Sequence, residues 1–358
     1  MAPAASASTQ QIRFCTGADG VRIAYATSGT GSPLVKVGTW MTHVELDWES
    51  SVWRPWLREL SRDHTFLRYD ARGCGLSDRE VAEVSFEAWV RDLETVVDAA
   101  GIERFALLGL SQGSAMAIAY AARHSERVSH LVLHGGFTRG RLRRNLSPQE
   151  REDAETMVKL AELGWGKDDP AYRQFFTTQF IPDSTLEQQR WWNELQRVAI
   201  SPANAARFMR AFNEVDVTEL ARRVSCPTLV THSKSDARIP LEEGRLIATL
   251  IPGARFVPLE SRNHVLLEHE PAWPRWLEAV RDFLPARGGP FSQLTAREAE
   301  LVELIAQGLD NAQIAARLEL SDKTVRNHIT SIFAKLGVEN RSRAIVLARE
   351  AGFGQRAS

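Results

Sequence analysis

The chain has little cysteine, almost no net charge and no long apolar run. Cys15, Cys74 and Cys226 stand far apart, with no C-x-x-C among them. So sparse and odd a set gives neither a disulfide framework nor zinc-ligand spacing. It suits a reducing compartment, and the expectation is a cytoplasmic protein with no metal and no cofactor. No stretch approaches the roughly 18 consecutive apolar residues of a membrane-spanning helix, so no membrane partner is expected. The opening MAPAASASTQQ has neither a basic start nor an apolar block, which argues against a signal peptide; residues 1–11 are expected to be a disordered arm. Lys and Arg number 44 against 45 Asp and Glu, a net charge of -1. Bulk attraction to nucleic acid or anionic lipid is thereby excluded, and any nucleic-acid surface must be local.

What is present is ordinary globular composition, 44% hydrophobic and 25% charged over 358 residues, enough for two folded units. Six short apolar runs, at 33–38, 64–70, 104–110, 128–135, 226–233 and 254–260, read as strands. Most are solidly apolar rather than alternating, as strands buried on both faces are. Amphipathic segments such as 86–101 and 114–124 lie between them. Strand–helix alternation predicts a doubly wound α/β fold over residues 12–285. The helical stretch 141–215 interrupts that rhythm between two strands and reads as an inserted cap. PARGGP, 285–290, contains a linker at 286–290, and after it the strand signal stops. No internal repeat is visible.

Gly109-Leu110-Ser111-Gln112-Gly113 is a G-x-S-x-G motif placed after one predicted strand and before a helix. That context suits a strained turn that lifts a serine hydroxyl above the sheet. The backbone N–H of Gln112, at a helix start, suits an oxyanion. Serine is a weak nucleophile and needs a base oriented by a carboxylate. His264 and Asp236 each follow a predicted strand, at the carboxyl end where open α/β sheets place their sites. His43, His232 and His269 compete for the first role, Asp216 and Glu260 for the second.

This constellation resembles the α/β-hydrolase superfamily. Asp70-Ala71-Arg72-Gly73-Cys74-Gly75-Leu76-Ser77 is similar to the D-x-R-G-x-G-x-S turn of that family, and the helix at 273–284 fits it too. The resemblance implies a Ser111, Asp236, His264 triad and a cap over an apolar pocket. The family's second oxyanion donor usually follows a His-Gly pair; here the matching place reads Val37-Gly38-Thr39-Trp40-Met41, without the histidine. A backbone N–H needs no particular side chain, so Thr39 or Trp40 is the candidate donor. Trp40, Trp48, Trp165, Trp191, Trp192 and Phe137 are candidate walls for an apolar or aromatic ligand, with core packing as the alternative for any one of them.

Residues 291–358 read as four short helices. Thr295 with Glu298 is a capping box and Gly308 a stop; Asn311 opens the second helix. Ser321 caps a third, whose Val325, Ile329, Ile332, Phe333 and Leu336 fall on one face, and Gly337 ends it. A fourth covers 340–350. A short helix, a turn and a second helix with a polar outer face make a helix-turn-helix. That face carries Lys323, Thr324, Arg326, Asn327 and Thr330, residue types that contact phosphates and base edges; Lys335 and Arg341 would extend the phosphate footprint. Glu298, Glu300 and Glu303 are expected to lie away from it. The segment resembles the LuxR-type helix-turn-helix of bacterial transcription regulators through L-T-x-R-E-x-E, N-x-x-I-A, S-x-x-T-V-x-N-H-I and K-L-G-V-x-N-R. That resemblance implies double-stranded DNA as partner and a homodimer through the fourth helix.

Together these readings predict a DNA-binding transcriptional regulator whose hydrolase-like domain binds, and slowly hydrolyses, a small apolar or aromatic signal. The alternative is an active serine hydrolase, an esterase, lactonase or amidase, with an accessory DNA-binding domain.

Overall fold

The computed structural model describes residues 10–167, 169–284, 291, 294–351 and 353–354. The linker expected at 286–290 and nearly all of the N-terminal arm lie outside the described residues. The chain divides into two units, Met1–Leu284 and Pro285–Ser358.

The first unit is built on one eight-stranded sheet. Its strands are β1 (Gln11–Thr16), β2 (Arg22–Ser28), β3 (Ser32–Lys36), β4 (His64–Tyr69), β5 (Phe105–Leu110), β6 (Val128–His134), β7 (Thr228–Ser233) and β8 (Arg255–Leu259). The order across the sheet is β1-β2-β4-β3-β5-β6-β7-β8. From β4 to β8 every pairing is parallel; β1 and β2 pair antiparallel at one edge. The six apolar runs became β3 to β8. Strands β1 and β2 were not anticipated, and Gln11, assigned to the arm, starts the first. QIRFCT is exposed at most positions and has no apolar run to announce it.

Helices α1 (Trp53–Ser61), α2 (Phe86–Ala99) and α3 (Gly113–Arg123) connect the early strands, and α9 (Leu241–Leu250) and α10 (Ala272–Phe283) the late ones. Strand β5 and helix α3 are buried almost throughout, as the centre of a doubly covered sheet must be. Between β6 and β7 the chain leaves the sheet through a 3-10 turn at Arg141–Arg143 and enters α4 (Pro148–Gly164), α5 (Pro170–Phe180), α6 (Leu186–Ala199) and α7 (Pro202–Asn213), then the short α8 (Thr218–Ala221). Ser147, Asp169, Thr185 and Ser201 cap α4 to α7, three of them ahead of a proline in the first turn.

The cap is tied to the sheet through the Asp70–Ser77 turn. Gly73 and Gly75 hold φ of 80° and 51°, and a Cβ on Gly75 would lie 2.1 Å from Asp70 Oδ2. Asp70 can therefore accept the N–H of Val44 and of Leu76. Arg72 is buried and forks onto Asp92 at 2.6 and 2.8 Å. From α7, Asn204 donates to the carbonyls of Gly73 and Arg79.

The second unit contains α11 (Ala296–Ala306), α12 (Asn311–Leu318), α13 (Asp322–Leu336) and α14 (Arg341–Glu350) around its own apolar core of Leu301, Ile305, Ile314, Val325, Ile332 and neighbours. Its caps agree with the sequence. Thr295 and Glu298 form a capping box, Ser321 caps α13, and Gly337 ends it with φ of 63°.

Candidate active site and DNA-binding face

Ser111 sits between β5 and α3 with φ of 54°, a left-handed backbone that a side-chain-bearing residue adopts at a cost of about 1–3 kcal/mol. The glycines explain how the turn is accommodated. A Cβ on Gly109 would meet Ser114 Cα at 2.7 Å and the Gly113 carbonyl at 2.8 Å, so the strand could not approach the helix so closely. The Ser111 N–H donates to the His134 carbonyl at 3.0 Å, which ties the turn to β6.

Asp236 and His264 meet as the sequence suggested. His264 Nδ1 lies 2.8 Å from Asp236 Oδ2, and both side chains are buried. Asp236 Oδ1 accepts the N–H groups of Arg238 and Ile239, which fixes the carboxylate. Burial pushes its pKa up, but His264, and His232 beyond it, outweigh that and hold the carboxyl below the usual range. With Nδ1 engaged, His264 Nε2 is buried and without a hydrogen-bond partner among the described residues. No hydrogen bond joins it to Ser111 Oγ in this conformation. The rival residues are occupied elsewhere: His232 Nε2 faces the Ile239 carbonyl at 3.0 Å, His43 Nδ1 accepts from Leu46, and His269 is exposed. Asp216 caps Thr218, and Glu260 pairs with Lys234 at the surface.

Sequence reasoning missed Gly135 and Gly136. Gly135 has φ of 56°, and a Cβ there would lie 3.2 Å from His264 Cε1 and 3.5 Å from Asp236 Oδ2. A Cβ on Gly136 would collide with the Ser114 side chain at 2.1 Å and lie 3.3 Å from the Ser111 carbonyl oxygen. At the end of β6 Gly135 leaves room for the acid and histidine, and Gly136 for the first turn of α3 behind Ser111. A G-G directly after an apolar strand was the available signal.

The backbone N–H groups of Gln112, Thr39 and Trp40 donate to no other group of the chain among the described residues. Thr39 packs by its methyl against Gly113, 3.1 Å from where a Cβ would stand, and Met41 just after it takes φ of 61°.

A cavity of about 550 Å³ opens over Ser111 and Gln112. Of the six proposed wall residues it takes Trp40 and Phe137. The other four are a correction. Trp165 is buried behind Trp40, ring centroids 4.8 Å apart, with its N–H on the Gln196 carbonyl. Trp192 is buried between Trp53 and Phe180, and Trp191 packs on Trp192. Trp48 lies under the Arg68 guanidinium, away from the cavity. Large rings bury most area where cap meets sheet, and there they serve as core. The cavity is also less apolar than expected, since Arg141, Arg144, Arg238, Glu150 and Gln179 line it.

On α13, Lys323, Arg326, Asn327 and Thr330 are exposed and Thr324 half-buried, all on the side opposite the buried Val325, Ile329 and Ile332. Thr324 donates its N–H to the Ser321 hydroxyl, and Arg326 pairs with Asp322. Lys335 is a second correction. Its ammonium lies 2.5 Å from Glu298, whose carboxyl also accepts from Ser331. It braces α13 against α11 and is not part of the open face. Glu298 is likewise buried between the helices, with its carboxyl pulled down to about 2 chiefly by the Lys335 hydrogen bond. Arg341 is drawn inward too, onto the Leu309 carbonyl and Asn311.

Residues 47–271 match the alpha/beta hydrolase fold family. The chain belongs to that family. In this alpha/beta hydrolase, residues 292–348 match the luxR family of bacterial regulatory proteins, so a LuxR-type DNA-binding domain is fused to the hydrolase domain. A putative carbamate hydrolase, RutD, of Azorhizobium caulinodans is 26% identical over 67% of this chain and 87% of its own length. A pyrrolizixenacetamide deacetylase of Xenorhabdus hominickii is 25% identical over 75% and 97%. Among solved structures, the esterase RhEst1 from Rhodococcus superposes with a TM-score of 0.60 at 25% identity, over 76% of this chain and 98% of that one. No helix among the described residues is long and apolar enough to cross a membrane.

Proposed function

We propose that this alpha/beta hydrolase is a cytoplasmic transcriptional regulator that binds a small molecule above Ser111 and cleaves it slowly at an ester, lactone or amide bond. The observation that carries the reading is the buried His264–Asp236 pair, with an unpartnered Nε2, beside a strained serine that opens into a cavity, in a chain that also carries a LuxR-type domain. A serine set of this kind has no packing reason to be assembled under a cavity.

Ser111 Oγ attacks the ligand's carbonyl carbon and passes its proton to His264 Nε2, while Asp236 stabilises the imidazolium. The carbonyl oxygen takes up the electron pair as an oxyanion, held by the N–H of Gln112 and of Thr39 or Trp40. Collapse breaks the bond to the leaving alcohol or amine, which takes the proton from His264. Water repeats the sequence on the acyl-enzyme and restores Ser111. Lys323, Thr324, Arg326, Asn327 and Thr330 face double-stranded DNA, and two copies pair through α14, where Val346 is an exposed apolar residue.

The full-length protein should hydrolyse 4-nitrophenyl butyrate slowly, and Ser111→Ala should abolish this while leaving promoter DNA retardation in place. Wild-type turnover indistinguishable from that of Ser111→Ala would remove the hydrolytic part of the reading.

A further inference from the structure

The walls of the cavity over Ser111 hold three arginines, Arg141, Arg144 and Arg238, and one carboxylate, Glu150, and two of the arginines make no ion pair. Arg139, Arg141, Arg144 and Arg238 stand at this end of the molecule with Glu150 and Glu243. Glu243 is buried and shared, 2.9 Å from Arg139 and 3.5 Å from Arg144. Glu150 accepts both the N–H and the hydroxyl of Ser147, where it completes the cap of α4. Arg141 and Arg238 make no ion pair with a carboxylate among the described residues, although Glu150 feels the charge of Arg141 and Asp236 that of Arg238 from farther off. Arg238 makes one neutral contact, to Gln179 Oε1 at 2.5 Å, and lies over the Phe180 ring at 5.4 Å. Burial, with Arg141 next in effect, pushes its guanidinium down to about 10, still charged at neutral pH.

Guanidinium groups facing such a cavity lose hydration, neutral acceptors restore part of it, and an anion restores most. A guanidinium presents a planar fork that suits a carboxylate. Part of the wall, Trp40, Phe137, Met209 and Phe212 among it, is apolar. The backbone of Arg238 is tied to the reacting groups, because its main-chain N–H donates to Asp236 at 2.8 Å, and its guanidinium is held by Gln179.

We propose that the cavity takes a ligand with an apolar body and a free carboxylate, the carboxylate held by Arg141 and Arg238 and the body lying against Trp40 and Phe212. This deepens the reading of the cavity as the ligand site and rests on it. The substrate class is then an ester, lactone or amide that carries a second, anionic carboxyl group away from the scissile carbonyl.

The test is calorimetric titration of full-length Ser111→Ala with 3-phenylpropanoate and with its neutral isostere 3-phenylpropanamide. The carboxylate should bind at least about tenfold more tightly, and its affinity should fall with salt. Arg238→Gln and Arg141→Gln should each remove most of that preference, while Arg143→Gln, in the same turn but paired with Glu214 at the surface, should not. Equal affinity for the two probes, no binding of either, or a preference that survives both arginine substitutions would overturn the proposal. If the arginine variants misfold, the two-probe comparison in Ser111→Ala decides alone. Turnover separates the two readings. Equal kcat/KM for 4-nitrophenyl hemiglutarate and 4-nitrophenyl butyrate counts against the anion site only, whereas absence of both activities counts against the role of Ser111.

Discussion

Phe180 and His264 are joined through the backbone: the Phe180 carbonyl accepts the N–H of His264 at 2.8 Å and that of Val265 at 3.2 Å. Phe180 ends cap helix α5, and its ring packs on the His264 ring with centroids 5.9 Å apart. The cap therefore holds the loop that carries the proposed base. Phe180→Ala removes a buried ring that also touches Trp40 and Trp192. It should destabilise the hydrolase domain by about 3–5 kcal/mol, read from urea melts. Below the melting transition it should also lower kcat more than it raises KM, because the imidazole loses its fixed position. A pure KM effect would mean that the ring serves only the cavity wall.

Gly135 tests the room around that imidazole. A methyl group there would stand 3.2 Å from His264 Cε1 on a backbone with positive φ. Gly135→Ala should reduce turnover on the order of 100-fold through misplacement of the base, at a smaller loss of stability. Unchanged turnover with an unchanged melting temperature would show that the histidine tolerates the displacement.

The sequence revealed the parts whose physics is local. Solid apolar runs marked β3 to β8, and the caps at Thr295, Ser321 and Gly337 marked the ends of the C-terminal helices. The contact of Asp236 with His264 was legible because each follows a strand, and a parallel sheet brings its strand ends together; the same rule makes Ser111 the proposed nucleophile. The edge strand β1 was not legible, since an exposed antiparallel edge needs no apolar pattern, and β2, though buried, is rich in small and polar residues (RIAYATS) that make no solid apolar run. The tryptophans misled because a wide ring serves core and cavity equally well, and only the packing of cap on sheet divides Trp40 from Trp165. Lys335 misled for a related reason. A lysine at the end of a helix reads as a phosphate contact until the fold places Glu298 beside it.

Buried histidines should make the hydrolase domain acid-labile. Burial pushes His130 down to about 4, and His134 down to about 3 with His232 adding to the effect. In the unfolded chain both take a proton near about pH 6.5. Between those values the unfolded state binds more protons, so stability rises with pH and is lost as pH falls from roughly 6.5 toward 4. Each group contributes up to about 1.4 kcal/mol per pH unit in that window. His134 packs against the paired rings of Trp56 and Trp276 and hydrogen-bonds Thr231 Oγ1 through Nδ1 at 2.8 Å, so His134→Gln is the replacement that keeps a polar partner without a titrating group. It should flatten the dependence of unfolding free energy on pH by about one proton. Parallel pH profiles for the two proteins would contradict a neutral, buried His134.

On the C-terminal domain, Lys323 and Lys335 should behave oppositely although both are lysines of α13. Lys323 is exposed in the first turn, where helix N–H groups also favour phosphate. Lys323→Ala should weaken binding to all duplexes alike and reduce the slope of log affinity against log salt by about 0.9. Arg326→Ala or Asn327→Ala should cost about 1–3 kcal/mol at particular base pairs and relax preference there. Arg326 must first leave Asp322, its partner one turn back. Asp322→Asn should therefore strengthen binding modestly, both by freeing that guanidinium and by removing a charge that repels phosphate. Lys335→Ala should leave the salt slope as it is and lower the melting temperature of the domain, because it deprives Glu298 of its ion pair between α11 and α13. Fluorescence-anisotropy titrations of promoter DNA at several salt concentrations, with melts of the same proteins, separate the two lysines. A salt slope that changes with Lys335 and not with Lys323 would place the phosphate track on the wrong end of the helix.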